Sequence, residues 1–201
     1  MFPNLVTYQI HRHEPLPPTD ALAYQYVLAG NGLFIRAETR FFAARIPVAA
    51  AVVRGLPLLA ADFRLKIPRL SGSLLNSILA DAGRARRPDG GLNEVFYQLH
   101  CQAGRVQVRR PSQLATGSSV VAVGNSAPAI LCDLHSHGNM AAFFSATDNA
   151  DEQGARLYGV IGKLDSEPEM RLRVGVYGYW LPLPVAVVFC SSGPFSEKEK
   201  R

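Results

Sequence analysis

Two histidines one residue apart, His135 and His137, with Asp148 further along, are the residues of this chain best suited by type and spacing to do chemistry. If the run into them is a β-strand, side chains alternate and both imidazoles leave from one face. Two imidazole nitrogens so placed can reach one zinc ion, each bond being about 2.0–2.1 Å. If residues 138–144 form a loop and Ser145 opens a helix, Asp148 falls in the first helical turn and can fold back to the same ion. Two histidines and one carboxylate leave a fourth position for water, the arrangement of a catalytic rather than a structural zinc. Each residue also has a plainer reading. Paired histidines on a strand can be hydrogen-bonded core or surface groups, and Ser145 with Asp148 makes a sound S-x-x-D capping box.

The elements that must position these groups follow from pattern. An apolar start at Ala129, Ile130 and Leu131 marks a strand that delivers the chain to His135. Upstream, Leu74, Leu75, Ile78, Leu79 and Ala82 recur at helical spacing after Ser71 or Ser73, and Gly83 is a plausible stop. Strands are expected over 94–101 and 105–109, joined by a turn at 102–104, and over 120–123. Residues 111–119 read as polar, and 124–128 as a break. Residues 145–157 read as a helix, followed by strands over 158–164, 170–179 and 185–189. In the N-terminal part, Gly30-Asn31-Gly32 predicts a turn between strands over 24–29 and 33–37. Residues 1–20 lack periodicity and read as an extended arm; the histidines His11 and His13 within it are assigned no site. Together these elements predict an α/β domain with a mixed sheet layered with helices. Residues 1–70 form a β-rich N-terminal extension, 71–195 the main domain and 196–201 a charged tail.

Composition bounds the rest. The 201 residues are 48% hydrophobic and 18% charged, as in an ordinary folded protein. No apolar run approaches the about 20 residues of a membrane span, and no secretory signal is visible. Three widely spaced cysteines, Cys101, Cys132 and Cys190, fit a reducing compartment, so a cytoplasmic location is expected. The net charge of +5 permits contact with nucleic acid without requiring it. A barrel-type amidohydrolase also uses H-x-H but needs about 250 residues after an early motif; only 64 follow His137 here. A zinc deaminase needs H-x-E with P-C-x-x-C, and neither is present.

The joint spacing His135-Ser136-His137, seven residues, then Ser145-Ala146-Thr147-Asp148 resembles the JAMM motif of the MPN-type (JAB domain) zinc metalloproteases. The likeness extends over about residues 71–190. It implies a JAMM/MPN, cytidine deaminase-like core, with His135, His137 and Asp148 as zinc ligands. The family's upstream glutamate corresponds to Glu94, which the resemblance makes the general base; Ser145 becomes the donor to the developing oxyanion. Where many ubiquitin-directed members have proline after the second histidine, this chain has Gly138. It also has little room for the insertion by which such members grip ubiquitin. Both departures speak against direct ubiquitin cleavage. The run 134–148 and the N-terminal extension are further similar to a bacterial, often plasmid-encoded subgroup, the PRTRC system A proteins. That likeness implies a peptidase or isopeptidase acting on a protein or peptide substrate, with a ubiquitin-like or sulfur-carrier-like protein and an E1-like, ThiF-related protein as partners. The alternative is a non-catalytic MPN-like scaffold or a DNA-associated module, for which retention on DNA should fall steeply with salt.

Three neighbours of the motif have competing roles. Asp133 shares the face of the histidines and is either a partner that orients a ligand imidazole or a polar strand-end residue. Cys132 lies on the opposite face and reads as a small buried residue. Asp151 and Glu152 read as a solvated helix face.

Overall fold

A computed structural model describes residues 4–102, 104–116, 120–122 and 129–197. The expected turn residue 103, the polar residues 117–119, the strand end at 123, the break at 124–128 and the tail from 198 onward lie outside them. The chain divides into two compact units. The first comprises Met1–Pro68, Ala150–Ala155 and Val174–Leu181, and the second Arg69–Asn149, Arg156–Arg173 and Pro182–Arg201.

The first unit is built on a sheet of five strands in sequence order: β1 (Val6–Ile10), β2 (Tyr24–Ala29), β3 (Gly32–Glu38), β4 (Phe42–Ala50) and β5 (Asp62–Leu65). The alternation of β2, with Gln25, Val27 and Ala29 buried, puts Val27 and Ala29 in a cluster with Phe34 and Leu59. The Gly30–Gly32 turn joins β2 and β3 as an antiparallel pair, as its residues predict. The N-terminal residues are not an arm throughout, because residues 6–10 pair in parallel with β2. His11 is wholly buried, with Nε2 2.9 Å from Glu14 Oε1.

The mixed sheet lies mostly in the second unit, its residues 155 and 174–181 being counted with the first. It contains β6 (Phe96–Gln102), β7 (Arg105–Arg109), β10 (Ile130–Ser136), β11 (Ala155–Gly162) and β12 (Glu169–Val176). A short ribbon is formed by β8 (Gln113–Ala115) and β9 (Val120–Ala122). Strand order is β12-β11-β10-β6-β7, with β13 (Tyr179–Leu183) beyond β12 and β14 (Ser196–Glu197) also beside β12. β10 runs parallel to β11 and antiparallel to β6. A parallel neighbour requires a crossover, and here the crossover is the segment that carries Ser145 and Asp148. Helix α1 (Ser73–Ala82) buries Leu75, Ile78 and Ala82. Tyr97, opposite Leu134 in the β6–β10 register, donates from its hydroxyl to Asp81 of α1 at 2.8 Å. By strand parity α1 therefore covers the face of Cys132 and Leu134, leaving the other face to His135.

Several expectations need correction. The helix opened by Ser145 is one short element, α2 (Ala146–Asp151), and does not continue to 157. Leu157 is needed in the sheet, where it pairs with Cys132 and is fully buried. Glu152 is 7% exposed rather than part of a solvated face. Residues 170–179 are not one strand, because Tyr177 and Gly178 take φ of 47° and 87°. Consecutive positive φ values make a tight hairpin turn between β12 and β13. Val185–Val187 is a 3₁₀ turn rather than a strand, entered through Pro184, which has no N–H to give a ladder. Gly83 does close α1, but in right-handed geometry at φ −66°.

Candidate metal centre

β10 delivers the first two donors. Its ladder holds His135 between Phe96 of β6 and Val160 of β11. Just beyond the strand, the His137 N–H donates to Ile161 O at 2.8 Å, so both histidines keep strand geometry and share a face. Their Nε2 atoms stand 3.0 Å apart. The chain then turns at Gly138, whose φ of +56° is closed to proline and suits glycine. After a loop, α2 returns Asp148 with Oδ1 3.3 Å from His135 Nε2.

One donor atom from each of His135, His137 and Asp148 lies within 4.8 Å of the others, the cluster of three such residues found among the described residues. Ligand atoms on a tetrahedral zinc with bonds of about 2.0–2.1 Å stand about 3.3 Å apart, which the two shorter separations approach. The protonation states also suit a cation. Burial, above all, pushes the His135 imidazole down to about 4, against the pull of Asp148. Burial likewise lowers His137, opposed by Ala141 O and Asp148. Both are therefore neutral near pH 7, as metal ligation requires. His137 Nδ1 lies 3.2 Å from Ala141 O; a proton on Nδ1 directed at that carbonyl leaves the Nε2 lone pair facing the cluster. The residues present fit zinc.

The capping box and the donor role of Asp148 coexist, because they use different oxygens. Asp148 Oδ2 accepts from the Ser145 N–H, while Oδ1 faces His135. In return the Asp148 N–H donates to Ser145 Oγ at 3.1 Å, and the Ser145 proton is left for another acceptor.

Glu94 lies just before β6 rather than within it. Next to it, Val95 exchanges two 2.9 Å hydrogen bonds with Ser136: its N–H donates to Ser136 Oγ and its carbonyl accepts from the Ser136 N–H. That pairing fixes Glu94 beside the residue between the two histidines. Glu94 is 5% exposed. Burial, reinforced by the nearby Asp148 charge, raises its carboxyl to about 7.

Asp133 lies in the middle of β10 rather than at a strand end, and its oxygens accept from Gln98 Nε2 at 3.1 Å and Arg156 at 2.8 Å. Cys132 is buried, as expected. Two participants were not legible in sequence. Ala141 orients His137 through its backbone, which no residue type signals. The Phe143 ring meets His137 edge-on at 4.6 Å and 68°, one of two adjacent phenylalanines with nothing to single it out.

Residues 93–175 match the family model described as prokaryotic homologs of the JAB domain. The matched stretch is less than half of the chain, and it holds Glu94, His135, His137, Ser145 and Asp148. The match supports the JAB superfamily for this stretch, a group in which metal-dependent hydrolases and zinc sites occur. No curated protein matches the chain.

Proposed function

We propose that this protein is a zinc-dependent peptidase or isopeptidase. What supports the reading is the convergence of His135, His137 and Asp148 with Glu94 buried alongside, inside the stretch that matches the JAB model. When bound, zinc would supply a Lewis acid and a water acidified to a pKa of about 7. His135, His137 and Asp148 would hold it. Glu94, with a carboxyl near 7 and little solvent around it, can take a proton in one step and release it in the next. It would accept the proton of the attacking water and deliver it to the leaving amine. The Ser145 hydroxyl would donate to the carbonyl oxygen as that atom gains charge, a contribution of a few kcal/mol for a well-aimed donor.

The substrate we propose is the C-terminal region of a ubiquitin-like or sulfur-carrier-like protein, with an E1-like protein as the partner that activates it. This rests on the likeness to the PRTRC system A proteins. The test is to incubate zinc-loaded protein with ubiquitin-like proteins extended at their C-termini and to weigh the products. Release of the extension at one defined bond, abolished in His137→Ala, supports the proposal. Intact fusions throughout, with zinc bound, would leave a metal-holding scaffold as the better account.

A further inference from the structure

Between His137 and Ser145 the chain crosses residues 138–144 with neither helical nor strand geometry, yet Ala142 in its middle is only 2% exposed. A buried peptide group outside a ladder must find partners elsewhere. Ala142 finds both on β12. Its N–H donates to Glu169 Oε1 at 2.8 Å, and its carbonyl accepts from Arg171 Nε at 2.8 Å. Glu169 and Arg171 are two apart on the strand and so face the same way. Arg173 continues the row, its guanidinium carbon 3.7 Å from the centre of the Phe144 ring. Three successive side chains on one face of β12 thus grip the loop that separates the histidine donors from Ser145 and Asp148. Glu169 is itself 3% exposed, with Lys163 Nζ 3.5 Å from its other oxygen.

The strand between presses on the same loop. A Cβ at Gly162 would lie 2.3 Å from Met140 O and 2.6 Å from Ala142 N. Lys163 N–H donates to Met140 O at 2.8 Å, and Leu164 N–H to Gly138 O at 3.0 Å. The loop therefore runs along the C-terminal end of β11 and the two residues after it, and β12 holds its centre.

We propose that Glu169 and Arg171 are positioning residues of the site. They clamp the Ala142 peptide so that Asp148 and Ser145 return to the face of His135 and His137. The consequence for metal binding rests on the zinc-peptidase reading; the clamp itself does not. The test compares wild type with Glu169→Ala, Glu169→Gln and Arg171→Met, each by two measurements. Amide hydrogen exchange of the peptide spanning 138–145 is followed in metal-free protein. Zinc affinity is measured by chelator competition, together with the visible spectrum of the cobalt-substituted protein.

Glu169→Ala should speed exchange of that peptide on the order of tenfold, as expected for losing a buried hydrogen bond. It should also weaken zinc about 10- to 100-fold and alter the cobalt spectrum. In Glu169→Gln the amide oxygen can still accept from Ala142 N–H, so both effects should be largely rescued. Arg171→Met should behave as the alanine variant. Unchanged loop exchange in a folded Glu169→Ala protein would overturn the proposal, as would unchanged zinc affinity and cobalt spectrum. If wild type binds no metal, the zinc reading fails, while loop exchange still decides the clamp. If Glu169→Ala does not fold, the same measurements on Glu169→Gln against Arg171→Met decide it.

Discussion

Asp148 is asked to do two jobs and has an oxygen for each: one caps α2 and the other faces His135. The same economy separates Glu94 from the donors. It stands outside the cluster, and burial above all, then the nearby Asp148 charge, raises its carboxyl to about 7, suited to moving protons. Glu94→Gln should keep its zinc and lose about 10²–10⁴ in hydrolytic rate, seen as unchanged metal content beside a reduced kcat. The metal-free protein should also report these groups through pH. His135 titrates near 4 when folded, below its ordinary 6.5, so its contribution to stability is present above pH 6.5 and lost as pH falls through 4. Glu94 works oppositely. Its folded value near 7 exceeds the ordinary 4.5, so its contribution is present below pH 4.5 and lost as pH rises through 7. Removing it in Glu94→Gln should make stability climb more steeply with pH between those values, measured from urea midpoints. Parallel pH profiles for variant and wild type would contradict this assignment.

How much of the site was legible follows the range of the interactions. Strand β10 and the S-x-x-D turn are local patterns, and periods of two and 3.6 residues carry them; the proposed donor triad rests on the joint spacing and its resemblance to the JAMM motif. The length of α2 was not, because the strand that ends it is dictated by pairing with Cys132, which is distant in sequence. Nor was the turn at Tyr177, where a tyrosine occupies a positive φ that sequence reading reserves for Gly or Asn. The Ala142 clamp lies further from view, since its two hydrogen bonds reach residues 27 and 29 positions away in sequence. The strand that presents the donors depends on its hidden side. Leu134 is fully buried opposite Tyr97, on the face away from His135. Leu134→Ala should cost about 2–5 kcal/mol, read as a lower urea midpoint. A cost below about 1 kcal/mol would mean that β10 is not anchored through this face.

The matched family stretch, 93–175, contains every proposed donor and catalytic group, and all five belong to the second unit. The first unit is built on a five-stranded sheet with its own apolar cluster. Among the described residues no helix is long and apolar enough to cross a membrane. The chain's +5 charge is available to attract an acidic partner or substrate. The central proposal is that three residues of the second unit hold a metal ion, and zinc content tests it most directly. Wild-type protein and His137→Ala, refolded with zinc and freed of excess, are to be compared by elemental analysis. The account expects about one zinc per chain in the wild type and little in the variant, since a two-donor remnant binds zinc poorly. A wild-type protein that emerges folded and without zinc would contradict it.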